Sequence, residues 1–278
     1  MMAPTSSIIG LGWLGTPLAE ALLAAGYQVL GSTTTPEKVA LLSQKGILTH
    51  QLTLNPQPDG GLAPLLDADV LVVNVPPKAG QHGDAFHPEQ MRLLAQAVAQ
   101  SRVGHVIYVS STSVYPELNR ELFEADVVTP EQSAAPRLVE AEQHWLALSA
   151  QKTITIVRCG GLMGGQRIPG KYVAGKQVDS GAVPVNYIHQ TDAVGLLLAV
   201  IEQGLTDESM RGTFNAVAPQ HPTREAIYRK SCADFGYALP TFVTPTEPVP
   251  FKQINGDKLT AATGYVFQYP DPLFFTYN

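Results

Sequence analysis

The residues of this chain whose types and spacing could do chemistry fall into three groups: glycines, hydroxyls and a few cations. The glycines stand in "GLGWLG" as Gly10, Gly12 and Gly15, after an apolar run and before a helical pattern. In that context Gly10 permits a tight turn and Gly15 lets the helix sit close to the strand. Gly12 clears a side chain from the path of a phosphate. With Trp13 and Leu14 between them, such a loop aims free N–H groups and a helix dipole at a dinucleotide pyrophosphate. The next strand leaves through "GSTTTPEK". An acid about 20 residues beyond the loop would hold the ribose 2′-hydroxyl of NAD. Thr33 stands there instead, and no carboxylate comes before Glu37. Ser32, Thr33, Thr34 and Lys38 can donate to a 2′-phosphate, so NADP is favoured over NAD. The competing reading is a polar strand end with no ligand.

The hydroxyls follow a buried-looking strand in "VIYVSSTSVYP", where Ser110, Ser111, Thr112 and Ser113 come in succession. A nucleophilic serine needs a base within hydrogen-bond reach. No Ser-His-Asp pattern is legible, and none of His50, His82, His87, His105, His144 and His221 has ligand spacing. No zinc pattern joins the two cysteines, Cys159 and Cys232, although one disulfide between them is conceivable.

The elements that must position these groups alternate. Strands are expected at 6–11, 27–33, 48–54, 69–75, 105–111, 153–159 and 212–218. Helices are expected at 14–25, 37–46, 88–100, 137–150 and 191–204, with Gly26 closing the first. Alternation of this length implies parallel pairing with helices on both faces: an α/β, doubly wound parallel sheet of the Rossmann kind. After residue 160 the rhythm loosens into Gly- and Pro-rich chain. The expected division is 1–160 plus 186–220 for the dinucleotide-binding domain and 161–185 plus 221–278 for a small, irregular C-terminal substrate lobe.

Composition narrows the class. The chain has 278 residues, 45% hydrophobic and 15% charged, with a net charge of −6. That can bury a large core and disfavours a nucleic-acid surface. There is no run of about 18 apolar residues to span a bilayer and no signal-like N-terminus. The expectation is a cytoplasmic protein with a small-molecule ligand, no membrane, no metal, and an oligomeric state left open.

The segments "IIGLGWLG", "VIYVSSTSVYP", "VRCGGLMG" and "VNYIHQTDAV" occur in the order seen in extended short-chain dehydrogenases/reductases. The chain resembles their NAD(P)-dependent epimerase/dehydratase branch, and within it an atypical subgroup, from residue 7 to about 270. The resemblance makes Ser111, four residues before Tyr115, the hydroxyl that bonds the substrate's reacting oxygen, with Ser110 beside the cofactor. It makes Asn74, Val75 and Pro76 neighbours of the adenosine and ribose, and Gly160 and Gly161 the turn beneath the nicotinamide. It also implies a Tyr acid/base and a Lys one turn later on the following helix. Read back from the pair Ala141–Glu142, those positions hold Ala134 and Leu138, which cannot transfer protons. Tyr115 is the nearest phenol, with packing as the competing role. Arg167, Lys171 and Lys176 lie in the loop that reaches toward substrate, often a nucleotide sugar in this family. A solvated loop with scattered charges reads the same residues equally well. His189 precedes a helix for which Thr191 or Asp192 is the expected N-cap. The segment 76–90 is either a cover over the cofactor or a plain connection.

Two functions follow: an oxidoreductase of the epimerase/dehydratase kind with a nonstandard acid/base, or a catalytically degenerate NADP-binding redox or metabolite sensor. A two-domain hydroxyacid dehydrogenase would continue into a long all-helical domain, which the Pro-rich tail argues against.

Overall fold

In the computed structural model, residues 3–77, 82–206 and 208–277 are described. The first unit is β1 (Thr5–Ile9), α1 (Gly15–Ala24), β2 (Gln28–Thr33), α2 (Pro36–Gln44) and β3 (Leu48–Asn55). Leu18 and Leu22, one turn apart on α1, are buried against the sheet, and Gly26 at φ +88° reverses the chain into β2. A short return strand, β4 (Gln57–Gly60), pairs antiparallel with β3, and one turn of helix, α3 (Leu62–Leu65), leads to β5 (Val70–Val73). The sequence reading missed β4 because "QPDG" carries turn residues; Pro58 is tolerated there because β4 is the edge of the sheet.

The second half adds α4 (Phe86–Ala99), β6 (His105–Ser111), β7 (Arg120–Leu122), α5 (Pro136–Leu146) and β8 (Thr153–Cys159). Next come β9 (Gly161–Met163), α6 (Pro169–Val173), β10 (Gln177–Val178), β11 (Tyr187–His189), α7 (Gln190–Gly204) and β12 (Gly212–Ala216). The chain ends with α8 (Arg224–Phe235), β13 (Thr241–Phe242), β14 (Lys252–Ile254) and α9 (Asp257–Thr263).

The main sheet has the order β12-β8-β6-β5-β1-β2-β3-β4, parallel except at β4. Its central strand β5 is buried on both faces, which is why it reads as an unbroken run of Val and Leu. α1 and α7 share one core with Ile8, Val72 and Val157. α4 and α5 share the opposite core with Ile9, Val73 and Tyr108. The chain leaves β1 for β2 on one side and enters β5 on the other, so the switch point lies between β1 and β5.

Beyond the sheet, three two-stranded pairs, β9–β11, β10–β13 and β7–β14, tie the later segments together. The tail is less irregular than expected: α8 and α9 each end on a left-handed glycine, Gly236 and Gly264. Cys159 and Cys232 are both buried and free, so the conceivable disulfide is absent. Burial pushes the Cys159 thiol up to about 12. Of the segment 76–90, residues 78–81 lie outside the described residues, so its role as a cover stays with the sequence.

Candidate functional site

The fold itself requires two of the three loop glycines. Gly10 has φ +110°, and a Cβ there would lie 2.3 Å from the backbone O of Asn74, which follows β5. A Cβ on Gly15 would lie 2.2 Å from the backbone O of Gly10. A Cβ on Gly12 would meet nothing within 4 Å. No atom of the described residues explains the glycine at 12, and the open space above it is where a phosphate would approach. Asn74 donates its Nδ2 to the O of Gly10 at 3.2 Å and so braces the turn across the switch point. The N–H groups of Trp13 and Leu14 have no acceptor among the described residues. With the N-terminus of α1 behind them, they form a ready anion site.

From this turn a cleft of about 460 Å³ runs outward, within the range of small-molecule pockets. Its floor includes Gly10, Gly12, Asn74, Val75 and Pro76, and one end is made by Ser32, Thr33, Thr34, Thr35 and Lys38. No carboxylate lines it among the described residues. Thr33 Oγ1 accepts from Thr35 N at 3.2 Å, leaving its own O–H as a donor. Thr34 and Lys38 are exposed, and no ion pair engages Lys38 among the described residues.

The opposite wall was not foreseen from the sequence. Leu52 to Asn55, at the end of β3, face Phe86 and Gln90 of α4. Gln90 donates to the O of Leu54 at 2.6 Å and is itself bonded by His87, whose other ring nitrogen meets the Tyr108 hydroxyl at 2.7 Å. Burial lowers the His87 pKa. His82 stacks on Phe86 at 4.3 Å between ring centroids, at the rim. The alternation of Leu52 and Leu54 with polar residues was the one available signal for this wall.

The hydroxyl run divides. Ser111 is half-buried, and its Oγ caps the following turn by accepting from Ser113 N at 3.1 Å, so its O–H is free to donate. Ser110 lies on the other face of β6. Its hydroxyl donates to Glu142 Oε1 at 2.6 Å in the core, which corrects the expectation that this side chain meets the cofactor. Tyr115 takes the packing role that competed with catalysis. It is fully buried; its hydroxyl donates to Asn215 Oδ1 at 2.7 Å and accepts from Arg158 at 3.0 Å. Burial raises its pKa. A phenol so enclosed packs the protein and cannot reach a substrate. Arg158 and Glu142, 2% and 1% exposed, complete this network with an ion pair of 2.6 Å. Ala134 is exposed, and Leu138 packs beside Val114 and Tyr115, so the two inert positions stay inert. Gly160 and Gly161 are needed for packing: a Cβ at 160 would lie 2.5 Å from the O of Asn186, and one at 161 would lie 2.6 Å from the ring of Tyr187.

Of the three cations expected toward substrate, only Arg167 comes near the glycine loop. Its guanidinium carbon lies 4.1 Å from the centroid of the Trp13 ring. Lys171 and Lys176 are exposed and solvated. Leu14 and Gly15 are buried beneath the loop. At the start of α7, the expected cap is corrected: His189 Nδ1 itself accepts from Thr191 N at 3.2 Å. Asp192 is buried and instead holds the tail, accepting from Tyr265 Oη, Gln268 N and Tyr269 N at 3.0, 2.7 and 2.9 Å. No helix among the described residues is long and apolar enough to cross a membrane.

Comparison with known proteins agrees with this geometry. A family described as NAD(P)H-binding matches residues 10–203. Protein YeeZ of Escherichia coli K12 is 32% identical over 270 residues, covering 96% of this chain and 97% of that protein. Among solved structures, a functionally unknown conserved protein of Silicibacter pomeroyi matches with a TM-score of 0.72 at 20% identity, covering 98% and 96% of the two chains. UDP-glucuronic acid 4-epimerase of Bacillus cereus, solved with NAD, matches with a TM-score of 0.75 at 17% identity, covering 97% and 96%. The glycine turn, the cleft it opens and these matches together establish that the chain belongs to the NAD(P)H-binding family and shares its fold with the UDP-glucuronic acid 4-epimerase.

Proposed function

We propose that the chain binds NADP(H) in preference to NAD(H) and acts with it as an oxidoreductase of the epimerase/dehydratase kind on a small polar molecule. The observation that carries this reading is the cleft at the β1–β5 switch point, with a glycine at 12 that no packing among the described residues requires and hydroxyls and Lys38 at its far end. A bound nicotinamide supplies the hydride donor or acceptor. Ser111, with a free O–H at the end of β6, orients an oxygen of the substrate. The proton-transfer group is nonstandard, since positions 134 and 138 hold Ala and Leu.

A second reading, a sensor that responds to the cofactor without turning over substrate, is favoured by the inward-facing Tyr115 and by those two inert positions. Titration calorimetry with NADPH and NADH tests the common core of both. One charge-assisted bond to a 2′-phosphate contributes about 1.5–3 kcal/mol, so NADPH should bind about tenfold tighter or more. Equal affinities, or tighter NADH, would contradict the NADP assignment. Slow hydride exchange with any carbonyl or alcohol, followed at the nicotinamide absorbance, separates enzyme from sensor.

A further inference from the structure

Every arginine of the chain except Arg167 makes a side-chain hydrogen bond to a carboxylate, carbonyl or hydroxyl. Arg167 makes none among the described residues; its one engagement is the face of Trp13. A guanidinium carries five N–H donors in a planar fork suited to phosphate oxygens. Stacking on an indole uses the face of that plane and leaves the donors at its edge unspent.

The arm is held in place. Gly164 and Arg167 exchange backbone hydrogen bonds, N–H to O, at 3.0 and 3.3 Å, closing a tight turn whose Gly164 has φ +124°. A Cβ on Gly164 would lie 3.2 Å from Cβ of Gln190, so the turn rests on Gln190. Gln190 in turn donates Nε2 to the O of Trp13 at 2.6 Å. Trp13 is thus gripped by its carbonyl and by its ring, from one compact unit. The unbonded N–H groups of the loop belong to Trp13 itself and to Leu14.

We propose that Arg167 clamps the pyrophosphate of the bound dinucleotide from the side opposite the glycine-loop amides. This assigns Arg167 to the cofactor rather than to substrate. The inference rests on the dinucleotide reading above.

The test is calorimetric titration of wild type, Arg167→Met and Arg167→Lys with NADPH and, separately, with NADH. The Met side chain keeps an apolar arm on the indole and removes the charge; the Lys side chain keeps the charge and removes the fork. Both nucleotides share the pyrophosphate. Arg167→Met should therefore weaken both by the same factor, tenfold or more, with Arg167→Lys between it and wild type. The wild-type affinity for either nucleotide should also fall more steeply with added salt than that of the variant. A loss confined to NADPH would place Arg167 on the 2′-phosphate and overturn the inference, as would unchanged affinity for both, which would return Arg167 to a substrate anion. If Arg167→Met does not fold, the Lys variant decides: wild-type affinity retained by the Lys variant overturns the clamp. Wild type that binds neither nucleotide would overturn the dinucleotide reading and the clamp together.

Discussion

The two ends of the sheet's ligand edge use their polar groups in opposite ways. Along the cleft that opens at the β1–β5 switch point, donors have no partner among the described residues: the N–H groups of Trp13 and Leu14, the Arg167 guanidinium beside them and the Lys38 ammonium at the far end. Two strands away, at the ends of β6 and β8, Ser110, Tyr115, Glu142, Arg158 and Asn215 bond to one another in the core. Buried polar groups are seldom left unpaired, so the closed network marks structure, while accessible donors without a protein partner stay available to a ligand. The cofactor end is built for a ligand. The end of β6 and β8 is mostly closed into the core, with the hydroxyls of Ser111 and Ser113 left outside that network.

The sharpest way to break that contrast is Arg158→Leu. It strands the Glu142 carboxylate in the core, and breaking a buried pair from one side costs about 3–5 kcal/mol. Chemical denaturation should show that loss, while the folded fraction keeps wild-type affinity for NADPH. Lost affinity with unchanged stability would move the network into the site.

His105, at the opposite end of β6, extends the same argument to pH. It is 2% exposed, its Nε2 bonds the Thr155 hydroxyl, and its Nδ1 has no partner. The Thr155 hydroxyl already donates to the O of Met210, so His105 Nε2 carries the proton and Nδ1 is a bare acceptor. Burial pushes its pKa down to about 4 from an ordinary 6.5. The unfolded chain therefore binds the extra proton first. Its contribution to stability is complete above pH 6.5 and is lost as pH falls to about 4, on the order of 3 kcal/mol in all. His87, also lowered by burial, adds in the same direction. Denaturation midpoints measured from pH 7 to pH 4 should fall, and His105→Gln should flatten part of that slope. A flat wild-type profile would refute the assignment.

Gly12→Val sharpens the cofactor side. Because its Cβ meets no protein atom, the melting temperature should hold, while NADPH affinity drops about a hundredfold or more, some 2.7 kcal/mol. Unchanged affinity by calorimetry would sink the fingerprint reading.

The smallest effect is expected at Ser111→Ala. Its hydroxyl only orients an oxygen, so turnover or ligand affinity should fall a few-fold and NADPH affinity stay level, together with a modest loss from the missing cap to Ser113, about 1 kcal/mol at most. A thousandfold loss of turnover would make Ser111 the centre of an activated site that the structure does not suggest.

By itself the sequence determined the doubly wound architecture, since strand and helix periods are local properties of the chain. It also determined the turn at Gly10, Gly12 and Gly15, the absence of an acid after β2, and the inert residues at 134 and 138, because each is a matter of which residue stands where. Tertiary structure decided what depends on distant segments meeting. Tyr115 turned inward because Asn215 of β12 and Arg158 of β8 wait there with matching polar groups, and a sequence does not announce its partners across strands. The far wall of the cleft exists because β3 ends against α4, and Gln90 bridges them. Arg167 came to the glycine loop because the turn after β9 packs on Gln190, which holds the carbonyl of Trp13, so a cation that reads as solvated in its own neighbourhood becomes, among the described residues, the one guanidinium without a hydrogen bond, lying on the Trp13 ring. Burial and pairing are set by three-dimensional closure, and local patterning carries only the direction in which each side chain leaves the backbone.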